Sequence, residues 1–344
     1  MNKKILILTH SQDDCAQLVI EHLVKRRLDF IRFNTDEFHS KIKVIMRLDK
    51  KGNFFGKYQF PDRDLEFEEI GVVWNRRIHK PNIGFELDHE PDLKNWMIDE
   101  SEWAMNISFT MLRCPVANPW EINERLKFNK MIQMERAASF DLEIPLTCIT
   151  DNLEAIKKFW EEADREVIFK KIRKGLFQFK DGKRYLVHTT KIPKDAMDDI
   201  HLKRMRFCPM FLQQHIPKKF DIRSVVVDNQ VFSVAIYSQN IAEGVVDYRK
   251  AAVMGKLKEM PHKPIDLGKT INKKLISFTK SFRLTFGVID LIMTPDDKIV
   301  FLEDNPNGQW GWLEHMTNLP ISKAFAEVLI KLSKKGGKGN GKKS

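Results

Sequence analysis

Ile5–Leu8 is an unbroken apolar run of the kind that forms a buried strand, and the period changes behind it. Ala16, Val19, Ile20, Leu23 and Val24 fall at i, i+3, i+4, i+7 and i+8, one face of a helix, with Ser11 standing where an N-cap is expected. Leu28–Phe33 returns as a second apolar run, so the chain opens as a β-α-β unit. No GxGxxG follows the first strand, which argues against a dinucleotide site there. Ile42–Leu48, Lys57–Phe60 and Gly71–Trp74 read as further strands, the last running into the basic step Arg76-Arg77. Residues 1–115 are expected to form one small α/β domain, followed by the proline-punctuated link Pro115–Pro119.

The alternation of elements continues beyond the link. Glu121–Phe140 and Glu154–Glu162 have helical spacing, and Val167–Lys171 reads as a strand. Phe177–Phe179 and Tyr185–Val187 flank Asp181-Gly182, a strong hairpin turn. Met210–Gln213, Ser224–Val227 and Val231–Tyr237 are strands and Ile271–Phe282 is a helix. Gly287–Met293 and Ile299–Glu303 are expected to pair across the turn Pro295-Asp296-Asp297. A last helix buries Ile321, Phe325, Val328, Leu329 and Leu332, and the Lys/Gly tail at 334–344 has the composition of a disordered segment.

Composition narrows the class without naming a function. The 344 residues are 42% hydrophobic, ample for a sizeable core. Net charge is +11, but residues 331–344 hold six lysines and no acid, which leaves 11 − 6 = +5 for the body. A basic enzyme that handles anions accounts for this as well as nucleic-acid binding does. Cys15, Cys114, Cys148 and Cys208 lie far apart with no CxxC, which argues against a zinc site or disulfide framework and suits a reducing, cytoplasmic setting. No stretch approaches the ~20 apolar residues of a membrane span.

The chemistry concentrates near the end of the chain. Asp290 closes the apolar run Gly287-Val-Ile, and Val300-Phe-Leu leads into Glu303-Asp304-Asn305-Pro306-Asn307-Gly308. On two adjacent antiparallel strands Asp290, Glu303 and Asn305 would project together, because Glu303 and Asn305 share a face at period two while Asp304 points the other way. Two carboxylates and an amide oxygen are hard ligands, suited to Mg²⁺ shared with phosphate oxygens. Strand-end acids facing solvent are the alternative, and that description fits Asp304 best.

Asp290 followed by Glu303-x-Asn305-Pro306 resembles the metal-binding signature of the ATP-grasp superfamily, and other segments follow in that family's order. Asn129-Lys130 and then Pro145-x-Thr147 look like the helix-and-strand opening of the grasp. Val167-Ile168-Phe169-Lys170 is similar to the strand whose lysine reaches ATP phosphate. Gln213-Gln214-His215-Ile216 is similar to the hinge that reads adenine, and Asp221-Ile222-Arg223 and Asp247-Tyr248-Arg249 resemble the two D-x-R elements beyond it. Trp74-Asn75-Arg76-Arg77 with Asn305-Pro306-Asn307-Gly308-Gln309-Trp310 resembles, more narrowly, the graspetide synthetases, the microviridin-type macrocyclases of ribosomal peptides. The chain departs from the pattern at Lys171, where a proline is usual, at Gln214, often an acid, and in the glycine-poor loop Ile172–Phe179.

The resemblance implies an α/β fold with a pre-ATP-grasp domain at 1–115, a central grasp subdomain at 116–205 and a C-terminal one at 206–333 carrying the metal site. It implies ATP with two Mg²⁺ ions (or Mn²⁺) on Asp290, Glu303 and Asn305. Lys130, Lys170, Gln213, Gln214, His215, Ile216 and Asp221 would then bind nucleotide, and Arg223 and Arg249 would act at the transferred phosphoryl group and the oxyanion. The implied partner is a precursor peptide with a leader and an acidic, Thr-rich core, joined as ω-esters or ω-amides by a homodimer. Arg76 and Arg77 would contact acidic peptide or phosphate, and Asp198-Asp199 would receive a leader arginine. The plain alternatives are a solvated basic helix face for Lys130, an ion pair with Asp221 for Arg223, and a surface basic step for Arg76-Arg77. A glutamate-adding ligase keeps the grasp and changes the substrate. A nucleic-acid-binding protein ranks below both, because the lysine tail carries no aromatic residue.

Overall fold

The computed structural model describes residues 3–83, 88–173, 175–179, 181–193 and 208–336. The opening β-α-β unit forms as the pattern predicts: β1 (Lys4–Thr9), α1 (Asp14–Lys25) and β2 (Phe30–Asn34). Ser11 does not cap α1. Asp13 takes that place, its carboxylate accepting from the Cys15 amide, while Ser11 is spent on Asp36. β3 (Lys43–Leu48), β4 (Phe54–Gln59) and β5 (Asp64–Glu66) make an antiparallel sheet, and β6 (Ile70–Asn75) joins β1 in a parallel sheet of order β2-β1-β6-β7.

α2 (Pro91–Thr110) precedes β7 (Val116–Ala117) and escapes the sequence pattern. Only Met105, Ser108 and Phe109 of it are buried, and Trp96 and Trp103 lie on its solvent side, so its apolar positions mark no core-facing stripe. The single helix expected over Glu121–Phe140 is broken into α3 (Trp120–Leu126) and α4 (Lys130–Ala138), where the Asn129 side chain accepts from Ile132 and caps the second piece. β8 (Thr147–Thr150), α5 (Leu153–Glu162), β9 (Val167–Lys170), the hairpin β10 (Leu176–Gln178)–β11 (Arg184–Leu186), β12 (Thr190–Lys191) and β13 (Met210–Gln214) follow. They form an antiparallel sheet of order β12-β9-β13-β8, with α5 on it and the hairpin apart.

A second antiparallel sheet, order β16-β15-β14-β17-β18, carries the end of the chain. It contains β14 (Phe220–Val227), β15 (Gln230–Ile236), β16 (His262–Pro264), β17 (Phe286–Met293) and β18 (Ile299–Asn305), with α6 (Tyr248–Val253), α7 (Gly268–Ser281), α8 (Gly311–Thr317) and α9 (Ile321–Gly336) around it. Strand alternation divides its side chains between two cores. Ile222, Val226, Ile289, Leu291 and Phe301 pack with α4 and α7, whereas Val225, Val227, Phe286 and Val288 pack with α8, α9 and the first domain. Arg223 and Asp290 follow the second set by alternation, and a bulge between Phe301 and Glu303 brings Glu303 to the same face, the one that meets the first domain.

α9 is the seam between the first domain and this sheet. Phe325 stacks on Trp310 at 4.9 Å and lies 5.4 Å from Trp74 and 4.8 Å from Phe286. The helix runs on to Gly336, so Lys334 and Lys335 belong to it, and the rest of the tail lies outside the described residues. Phe325→Ala should therefore cost about 3–5 kcal/mol of global stability. Urea unfolding should register this as a lower midpoint at unchanged slope.

Candidate active site

Lys170, Gln213–Ile216, Asp221, Arg249, Asp290 and Glu303 line one cleft between the two large antiparallel sheets. The metal-ligand candidates meet there because β14, β17 and β18 are in register. Arg223 faces Asp290 across one strand pair and Asp290 faces Glu303 across the next, with a bulge immediately after Asp290. The Asn305 amide lies 3.4 Å from the Asp290 carboxylate. Every carboxylate in the cluster is paired with a cation. Arg223 Nη1 donates to Asp290 at 2.7 Å, Arg249 Nη1 to Glu303 at 2.7 Å, and Lys130 Nζ lies 3.1 Å from the other Glu303 oxygen.

Lys130 is thus an ion-pairing member of the site rather than part of a solvated basic face, and Arg223 pairs with Asp290 rather than with Asp221. Arg249 is held by Asp247, which also caps α6, and its side chain remains 44% exposed to the cleft. Lys130, Lys170, Lys218, Arg223 and Arg249 outnumber Asp221, Asp247, Asp290 and Glu303 by one, so the site favours an anion. Burial penalises the Glu303 carboxylate, but Arg249, Lys130 and Lys170 more than offset this and hold its pKa well below the usual range. At Asp290 burial outweighs Arg223 and Arg249 and the pKa rises.

Neighbouring groups hold these side chains in place. Lys170, 5% exposed, points inward as alternation requires and donates to Gln213 Oε1 at 3.1 Å, and Gln213 in turn donates to Thr147. The Gln213 side chain therefore positions the lysine, while the following residues line the cleft. Lys218 grips both oxygens of Asp221 at 2.8 Å and Ser238 adds a third contact. Burial comes first in raising the Asp221 pKa. Asp290, Glu303 and Asn305 supply hard oxygen donors on one face, which suits Mg²⁺ completed by phosphate oxygens. Among the described residues no group of three or more His, Cys, Asp or Glu could hold a metal ion unaided.

Comparison with known proteins bears on the fold. Residues 4–124 match the MvdD pre-ATP grasp domain. An RiPP-associated ATP-grasp ligase of Chryseobacterium gregarium, solved with ADP and a leader and core peptide, is 28% identical with a TM-score of 0.86, covering 96% of this chain and 97% of that one. The macrocyclase MdnC of Microcystis aeruginosa MRC, bound with precursor peptide MdnA, is 29% identical at a TM-score of 0.81, covering 95% and 99%. MdnB from the same organism, also a macrocyclase, is 28% identical at 0.74, covering 95% and 99%. No curated protein matches the chain in sequence. The fold is an ATP-grasp fold, and its first domain is similar to the MvdD pre-ATP grasp domain.

Within this fold several sequence expectations need correction. Asp304 does not face solvent. It is 2% exposed against Gly287, where an added Cβ would sit 2.5 Å from its carboxylate, and burial raises its pKa well above the usual range. Arg76 is no surface residue and cannot reach peptide or phosphate from its place: it is 0% exposed and paired with Asp13. Arg77 is half-buried beside His10. Asp198 and Asp199 lie outside the described residues. Lys218, Tyr248 and Gln309 were missed. The i, i+3 spacing of Lys218 and Asp221 was the only signal for the first, and nothing in the sequence joins Gln309 to Arg223.

Lys170 makes the site sensitive to pH. Burial lowers its pKa to about 8, with Glu303 raising it and Arg249 and Lys130 lowering it further. Its charge therefore costs the ligand-free fold most below about pH 8, and that cost is relieved as pH rises toward the ordinary lysine value. A triphosphate would favour the charged ammonium, so nucleotide binding just above this pH should take up a proton and weaken as pH rises further. Calorimetry in buffers of different ionisation enthalpy should detect the uptake in the native protein and not in Lys170→Gln.

Proposed function

We propose that the protein is an ATP-dependent ligase that activates Asp or Glu side chains of a ribosomal precursor peptide and joins them to Thr or Ser hydroxyls as macrocyclic ω-esters, with Lys ω-amides as the related product. The observation that carries this reading is the pairing of Arg223 with Asp290 and of Arg249 and Lys130 with Glu303, with Asn305 beside Asp290 and Lys170 lining the same cleft. Support comes also from the relatives of 28–29% identity, one holding ADP with leader and core peptides and another a precursor peptide.

The chemistry needs a poor electrophile made reactive. A peptide carboxylate oxygen attacks the γ-phosphorus of ATP and ADP leaves, giving an acyl phosphate. The hydroxyl oxygen then attacks the acyl carbon, its proton is lost, and inorganic phosphate departs with the former carboxylate oxygen. Lys130 and Lys170 hold phosphate oxygens as point charges. Arg223 and Arg249 stabilise the transferred phosphoryl group and the tetrahedral oxyanion, where forked donors contribute most. Two Mg²⁺ ions on Asp290, Glu303 and Asn305 would supply charge neutralisation between the β- and γ-phosphates. Arg223 and Arg249 lie against these same carboxylates, which keeps both guanidinium groups beside the place where the phosphoryl group would sit.

Gln214, His215 and Ile216 are placed by this reading at the adenine and Asp221 close to the ribose. Arg77 is the arginine of its pair left to meet an acidic core residue. The leader is assigned to the exposed hairpin β10–β11, where Leu176, Phe179, Tyr185 and Leu186 are 43–57% exposed. A homodimer in the cytoplasm completes the proposal. It is supported by the stripe of Trp96 and Trp103 on α2, 60% and 67% exposed, and by four free cysteines.

Phosphate release from ATP and Mg²⁺ should depend on a candidate precursor peptide, and each ring should cost the product one water by mass. The double variant Glu303→Ala/Asn305→Ala should abolish both signals, and Arg249→Lys should lower turnover by ~10²–10³. Product cleaved by mild base is the ester, and resistant product is the amide. Turnover with a gain of mass would favour an amino-acid-adding ligase, and no ATP use with any carboxylate would refute the reading.

A further inference from the structure

The geometry points to Arg76, in the first domain, as a positioning residue for Arg223: it fixes the loop 307–309, and the Gln309 carbonyl of that loop is the rest on which the Arg223 guanidinium lies. This rests on the role proposed above for Arg223.

Arg76 follows β6, a strand buried at every position, and both it and its partner Asp13 are 0% exposed. A guanidinium taken fully out of water must spend its donors on fixed partners. Beyond the Asp13 pair at 3.2 Å, the partners of Arg76 are consecutive residues of one loop: the carbonyls of Asn307 at 2.9 Å and Gly308 at 3.2 Å, and Gln309 Oε1 at 2.7 Å. Cys15, on α1 of the same domain, donates its Sγ–H to Gln309 Oε1 and accepts from the Gly311 amide.

The other end of Gln309 faces the chemistry. Its carbonyl accepts from Arg223 Nη2 at 3.0 Å and from Nε at 3.3 Å, while Nη1 of the same arginine goes to Asp290 and to the Tyr248 hydroxyl. Arg223 is thus held at both edges of its fork, on one side by a metal-ligand candidate and on the other by a loop that Arg76 holds. The loop has little room to move, since a Cβ on Gly308 would lie 2.6 Å from Val288 and Asn118 donates to the Pro306 carbonyl.

A purely adhesive role explains less. The seam around Phe325, Trp310 and Trp74 already joins the two parts, and buried ion pairs add little net stability. Adhesion has no need for a planar fork that satisfies three residues in a row, whereas holding one carbonyl in place does. Lysine keeps the charge and loses that fork.

The test compares Arg76→Lys with the native protein for kcat, peptide KM, ADP affinity and Tm, alone and combined with Arg223→Lys. Displacing a reacting group slightly is enough for a large loss, so Arg76→Lys should lower kcat about 10–100-fold. ADP affinity should hardly change. In the Arg223→Lys background the further loss should shrink to within about threefold, because both substitutions act through one group. The Arg223 Nε–H resonance, assigned by its absence in Arg223→Lys, should shift and exchange faster in Arg76→Lys. Gln309→Ala, at a half-buried position, should move kcat and the resonance in the same direction if Arg76→Lys does not fold. An unchanged kcat with a lower Tm, additive losses in the double variant, or an unmoved resonance would overturn the proposal. Absence of peptide-dependent turnover in the native protein would instead defeat the functional reading, and the resonance would still decide whether Arg76 positions Arg223.

Discussion

The cross-strand register that sets Arg223 opposite Asp290, and Asp290 opposite Glu303, is the constraint on which the site depends. Charges this deeply buried are tolerated only when each has a partner at hydrogen-bond distance. A slip of one residue would turn every one of these side chains to the opposite face of the sheet, leaving the arginine and the carboxylates in the apolar layer under α7. The bulge after Asp290 belongs to the same arrangement, since it lets Glu303 and Asn305 stay on the cleft side while Phe301 faces the other core.

The two faces of β18 have been given different electrostatic fates. On the cleft side the Glu303 carboxylate is kept ionised by surrounding cations, while on the other side burial makes Asp304 hard to ionise. The Asp304 backbone is clamped by Gln133 of α4, whose amide accepts from its N–H and donates to its carbonyl. Adjacent acids thus shift in opposite directions because one looks into a positively charged cleft and its neighbour does not.

The first domain is bound into this arrangement. Its α1 and β6 meet the loop and helix that follow the ligand residues, and α9 returns to cover β1 and β6. The pre-ATP-grasp domain lies behind the arginine wall of the cleft, and its own buried ion pair, Asp13–Arg76, reaches the loop on which that wall rests.

The elements themselves were largely legible along the chain. Period two over Val300–Asn305 placed Glu303 and Asn305 on one face, apolar runs located β1, β6, β14 and β17, and residue types in order indicated phosphate and divalent metal before any geometry was known. Periodicity says that a face is covered and is silent on what covers it. Asp304 was expected in solvent because nothing local reveals α4 behind it, and α2 was passed over because its apolar residues face outward. Arg76 looked like a surface step, and its burial depends on Gln309, 233 positions away. Residue chemistry and alternation were thus decided locally, by the sequence alone. Which charges are paired, which are penalised by burial and which hold others in place was decided only by tertiary structure, because desolvation is set by neighbours distant in sequence.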